Sequence, residues 1–146
     1  MKRILVVVLV AIHFVSCDKS KTQNDQIPKC DDSESITLTK DIVRHTIAAS
    51  EMTKLSGKHT PVCLQQLAEY SVGKKFDKET TIQMKKSLTL ADSIFLGIED
   101  INTTTIDEKL KKCDCNATLI FKDNETTPIS YSVKKTKEGT FAEITH

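Results

Sequence analysis

The sequence predicts an α+β domain in which N-terminal helices pack on a C-terminal antiparallel sheet. Three observations lead there. Apolar residues between Ile36 and Leu55 recur on a helical period, those from Cys113 onwards alternate on a strand period, and the strand-like runs follow one another with only turns between them. Helices first and strands afterwards segregate the two kinds of structure along the chain. A sheet with one apolar face then needs the helices to cover it.

The first helix is expected over residues 34–56. Asp31, Asp32 and Ser33 offer N-caps, with Asp31 and Glu34 at capping-box spacing and carboxylates favoured at the positive helix end. Ile36, Val43, Ile47 and Leu55, with Leu38 and Ile42 beside them, form its apolar stripe, and Gly57 stops it. His45 falls on the polar side between Arg44 and Thr46 and reads as a solvated surface residue. Past a break at residues 57–61, Val62, Leu64, Leu67 and Ala68 mark a short second helix that ends before Gly73. Residues 74–81 read as a connector. Residues 82–90 are ambiguous, because Ile82, Met84 and Leu88 do not decide between helix and strand.

Strand material is expected at residues 93–98 and 101–106. From residue 109 to 121 the pattern is cleaner: Cys113, Cys115, Ala117, Leu119 and Phe121 alternate with Lys112, Asp114, Asn116 and Thr118, as in a half-buried strand. Residues 122–128 supply turn chemistry. Ile129, Tyr131 and Val133 alternate with serines, Glu138 and Gly139 make another turn, and residues 140–145 complete a hairpin. Phe76, Phe95, Phe121 and Phe141 are expected in the core. This order of elements over residues 30–146 resembles the cystatin-like and related helix-on-curved-sheet folds of small envelope proteins.

The chain begins with Lys2 and Arg3, an apolar run over residues 4–15 broken only by His13, then Ser16 and Cys17. The run is shorter than the roughly 20 apolar residues a membrane-spanning helix needs, so it reads as a removable export signal. Phe14-Val15-Ser16-Cys17 resembles the lipobox of bacterial lipoproteins, with Phe14 where that family usually has Leu. The resemblance implies cleavage after Ser16, acylation of Cys17 and a lipid anchor in the membrane of the bacterial cell envelope. Asp18 resembles an inner-membrane retention signal, while Lys19 departs from its strongest form, so the choice of membrane stays open. A secretory signal cut after Cys17 is the other reading, and the sequons at Asn102, Asn116 and Asn124 would then be glycosylation sites. Residues 1–16 are thus expected to be the signal, 17–29 the acylated cysteine and a polar tether, and 30–146 one domain.

With Lys2 and Arg3 removed, 21 basic residues become 19 against 20 acidic, a formal charge of −1. Nucleic-acid binders carry a basic excess or stripe, so that class is disfavoured. Of the five cysteines, Cys30, Cys63, Cys113 and Cys115 remain after Cys17. An even number in an exported domain favours two disulfides. A bridge between Cys113 and Cys115 would close a very small ring on a strand, so each is expected to join a cysteine of the helical half. Cys30 with Cys115 and Cys63 with Cys113 is the favoured pairing, with the crossed arrangement left open. The competing reading is capture of zinc or cuprous copper by Cys113, Cys115, Cys63 and His59, although the paired C-x-x-C spacing is missing.

His59 beside Cys63 is more simply a loop histidine than half of a nucleophilic pair. Glu99 and Asp100 are adjacent on strand-like sequence and so point to opposite faces. The chain has no G-x-S-x-G, no H-E-x-x-H and no glycine-rich phosphate loop, and only four glycines. The expectation is a non-enzymatic, lipid-anchored envelope protein, without a cofactor, whose domain binds another protein, such as an inhibitor or immunity protein would. A metal-binding or small-ligand-binding lipoprotein is the alternative.

Overall fold

The computed structural model describes residues 26–145. Three helices precede four strands: α1 (Ser33–Ser56), α2 (Thr60–Ser71), α3 (Lys78–Ile94), β1 (Phe95–Asp107), β2 (Lys112–Phe121), β3 (Thr126–Thr136) and β4 (Gly139–Ile144). The strands form one antiparallel meander in the order β1-β2-β3-β4. The fold is α+β, helices against sheet, and is compatible with the helix-on-curved-sheet class. Cys17 and the signal and tether readings lie outside the described residues, apart from the last few tether positions. Among the described residues, no helix is long and apolar enough to cross a membrane.

The helix boundaries follow from capping. Asp32 is the N-cap of α1, its carboxylate accepting the Ser35 N–H at 2.7 Å and the Lys29 N–H at 3.0 Å. Of the three N-cap candidates Asp31, Asp32 and Ser33, the second takes the role, so the capping-box spacing of Asp31 with Glu34 is not the one used. Gly57 closes the helix with φ +67°, the left-handed conformation in which a side chain is strained. Pro61 occupies the first turn of α2, where its missing N–H costs nothing. Asp77 caps α3 by accepting the Thr80 N–H at 2.9 Å. The connector therefore ends at Asp77, and the ambiguous segment is helical because Met84, Ser87, Leu88 and Ala91 bury one face at spacings of three and four.

Two apolar clusters lie on different sides of α1. One gathers Cys30, Val43, Cys113, Cys115, Ala117, Leu119, Ile129, Tyr131 and Val133 between α1 and the sheet. The other gathers Ala48, Ala49, Met52, Cys63, Leu64, Leu67, Met84, Leu88 and Ala91 among the three helices. Ile47 packs against both. A helix buried on two sides has a weakly defined polar face, which corrects two expectations. His45 is buried, only 2% exposed, because 45, 48, 49 and 52 share the face turned to α2 and α3. Leu55 is 56% exposed, while Met52 is buried and Thr53 meets Thr60 and Cys63 of α2 at the same end of the helix.

The strand alternation sets the sheet. Cys113, Cys115, Ala117 and Leu119 of β2 face inwards, paired in register with Val133, Tyr131, Ile129 and Thr127 of β3. The two predicted segments upstream are one strand, β1, broken by register shifts between Phe95 and Gly97, Glu99 and Asn102, and Thr103 and Thr105. Asp100 has φ +52° within the second shift, and the Asn102 side-chain amide donates to its carbonyl at 2.8 Å. Such bulges bend a strand and raise its twist, which is how a meander curves around a helix. Glu99 and Asp100 are exposed at this bend. Phe95 and Phe121 pack together with ring centroids 5.9 Å apart.

Candidate functional site

The cysteines divide between the two clusters. Cys30, in the turn just before α1, is bonded to Cys115 at the middle of β2, a separation of 85 residues. Cys63 and Cys113 are buried free thiols. The expected Cys63–Cys113 bridge is not formed, because Cys63 sits on α2 in the all-helical cluster while Cys113 faces the cluster between α1 and the sheet. The thiol of Cys63 lies 3.8 Å from the Thr53 hydroxyl. His59 is exposed at the N-terminus of α2. The proposed metal set of Cys113, Cys115, Cys63 and His59 is therefore not assembled.

A different group of three is. Sγ of Cys113 lies 3.5 Å from Sγ of Cys30 and 3.8 Å from Sγ of Cys115, nearly equidistant from the two bonded sulfurs. Alternation along β2 turns both 113 and 115 inwards and sends Asp114 out, where it pairs with Lys112 at 3.0 Å. The Tyr131 hydroxyl donates to the Cys30 carbonyl at 2.9 Å and so holds the turn onto the sheet. Burial pushes the Cys113 thiol up, and the negative charge of Asp32 adds to the effect. Burial likewise pushes the Tyr131 phenol up to about 12.

The second feature is a cleft of about 810 Å3 where α1, the end of α2, the loop after it and α3 meet. Arg44 and His45 come from α1, Tyr70 and Ser71 from α2, and Lys74, Lys75 and Phe76 from the loop. Arg44 spans to α3, its Nε donating to Asp92 and its Nη2 donating to the other carboxylate oxygen at 2.9 Å. This two-point contact raises the Arg44 pKa and holds the Asp92 carboxyl below the usual range. Lys74 pairs with Glu69 at 2.7 Å and stands 5.7 Å from the Phe76 ring centre.

Ser71 and His45 lie 3.0 Å apart, a separation that would suit a nucleophile and its base. The Ser71 hydroxyl, however, donates to the Leu67 carbonyl at 2.9 Å. The hydroxyl therefore has two partners, the Leu67 carbonyl and His45 Nε2, and the direction of the second contact follows the tautomer of the imidazole. Burial holds His45 below its ordinary value of 6.5 and keeps it neutral. The contact joins α1 to α2. Sequence reasoning missed this cleft because its residues come from three elements and because His45 was assigned to the polar side of α1; the signal that could have found it is its spacing with Ala48, Ala49 and Met52, which share its buried face.

Comparison with protein-family models, with curated proteins and with solved structures returns no match for this chain.

Proposed function

We propose that the protein is a non-enzymatic lipoprotein of the bacterial cell envelope, anchored through acylated Cys17, whose domain binds another protein. The cleft between the helices carries this reading. It is preorganised by the Arg44–Asp92 clamp and the His45–Ser71 contact, and it offers aromatic surface beside basic groups at Lys74 and Lys75. A rigid recognition surface loses little entropy on binding. Fastening Cys30 to Cys115 ties the tether end of the domain to its central strand, so that the cleft is carried at the lipid surface on one body. Aromatic residues with flanking cations suit a polar, acidic segment of a partner, as an inhibitor or immunity protein would use against a hydrolase or toxin.

The test has two parts. Intact mass of the membrane-purified chain is expected to show loss of residues 1–16 and added acyl mass; an unacylated chain cut after Cys17 would make it a soluble secreted protein. A protein recovered with the full chain from detergent-solubilised membranes is then expected to bind the purified chain directly and stoichiometrically. Lys75→Glu with Phe76→Ala is expected to abolish that binding while leaving the circular dichroism unchanged. Repeated recovery of no partner, or equal binding by the cleft variant, would remove the reading.

A further inference from the structure

We infer that reduction of the Cys30–Cys115 bridge opens a buried three-sulfur site, made by Cys30, Cys113 and Cys115, that takes one cuprous ion. The inference is independent of the protein-binding cleft, which lies on the other side of α1.

The geometry is nearly that of a trigonal thiolate site. A metal at about 2.3 Å from each of three sulfurs requires sulfur–sulfur edges of about 4 Å. Two of the three edges are already 3.5 and 3.8 Å. The ligand atoms of all three residues lie within 4.8 Å of one another. The edge that must widen most is the covalent bond itself, and reduction is what releases it. Cys113 and Cys115 are fixed on the central strand, so the adjustment falls on Cys30, in the turn before α1.

The surroundings select the metal. Three thiolates are soft donors that favour cuprous copper, whereas zinc normally requires a fourth ligand. The neighbouring side chains are engaged elsewhere: the Asp32 carboxylate, whose charge reaches Cys113, accepts the Ser35 and Lys29 N–H groups. Asp114 faces the opposite side of β2 and is paired with Lys112, the Tyr131 hydroxyl is committed to the Cys30 carbonyl, and Cys63 and His59 belong to α2. All three cysteines are 1% exposed, which keeps solvent from completing a tetrahedron.

The chemistry proceeds in two steps. A dithiol reductant gives two electrons and two protons to the Cys30–Cys115 bond, which becomes two thiols while the reductant leaves as its own disulfide. The cuprous ion then binds the three sulfurs and displaces their protons to solvent, with no change in the oxidation state of the metal. Because protons are released, retention is expected to strengthen as pH rises.

The full chain, reduced with a water-soluble phosphine, is titrated anaerobically with cuprous ion against a chromogenic chelator. Reduced protein is expected to retain one copper per chain with three sulfur neighbours in X-ray absorption, and unreduced protein none. Cys113→Ser is expected to lose the copper, and Cys63→Ser to keep it. Equal retention by oxidised and reduced protein, or by Cys113→Ser and the parent chain, would overturn the proposal. Should reduction unfold the chain, circular dichroism decides: refolding on addition of one equivalent of copper supports the site, and a chain that stays unfolded refutes it.

Discussion

His45 and Tyr131 show how single buried polar groups set the properties of this domain. His45 is neutral in the fold because burial holds its pKa below 6.5, although the carboxylates of Asp41 and Asp92 oppose the shift and Arg44 reinforces it. The unfolded chain, with an ordinary imidazole, binds the proton more readily. Stability from this residue is therefore complete above the unfolded value and is lost as pH falls through the folded one. Urea midpoints are expected to decline as the pH is lowered through about 6.5 and below, and His45→Gln to flatten that decline. Asp32 and Asp92 are held below 3.8, so their loss of stabilisation on acidification falls in a lower window and does not mask the histidine. A second residue-scale test concerns Tyr131→Phe, which leaves the Cys30 carbonyl without its buried donor. The expected cost is about 1–3 kcal/mol in denaturant unfolding, the penalty for stranding a buried polar group. A midpoint equal to the parent's would mean that the turn at Cys30 is held by the disulfide alone.

At the scale of elements, the bridge between the Cys30 turn and β2 is the largest single restraint. Closing 85 residues removes substantial entropy from the unfolded chain, so replacing both Cys30 and Cys115 by serine is expected to cost about 4 kcal/mol. Thermal or urea unfolding of the double variant measures it, and a loss below about 1 kcal/mol would show that α1 and Tyr131 alone hold the N-terminal segment. The inward register of β2 was legible from its sequence because alternation is a local property of one strand: Cys113, Cys115, Ala117 and Leu119 could be placed without knowing their partners. The strand β1 was less so, since its three register shifts depend on pairing with β2 and carry little local signal. The face of α1 was misread where it meets α2 and α3, because small residues such as Ala48 and Ala49 add little to an apolar stripe yet permit close helix packing. The Cys63–Cys113 pairing failed for a related reason. Parity and compartment constrain how many bridges form, but only the third dimension shows that α1 separates those two thiols.

For the whole molecule, the decisive arrangement is that one helix serves two cores. Val43 packs towards the sheet and Met52 towards α2 and α3, with Ile47 touching both, so neither cluster can be dismantled without exposing a face of α1. The sheet cluster and the helical cluster should accordingly unfold together despite having different residues. The two tyrosines allow this to be read directly, since the chain lacks tryptophan and Tyr131 lies in the sheet cluster while Tyr70 packs against the helical one. In Tyr70→Phe, fluorescence comes from Tyr131 alone and reports the sheet, while circular dichroism at helical wavelengths reports α1 to α3. The two urea curves are expected to coincide in midpoint and slope. Met52→Ala, which empties space only on the helical side, is expected to lower both midpoints equally, with a stability loss of about 2–5 kcal/mol. A fluorescence midpoint left unchanged by Met52→Ala would mean that the sheet, with its disulfide, persists after the helices have melted, and that α1 is a boundary between two units. Coincidence in both chains would instead show that α1 joins the two clusters into one cooperative unit.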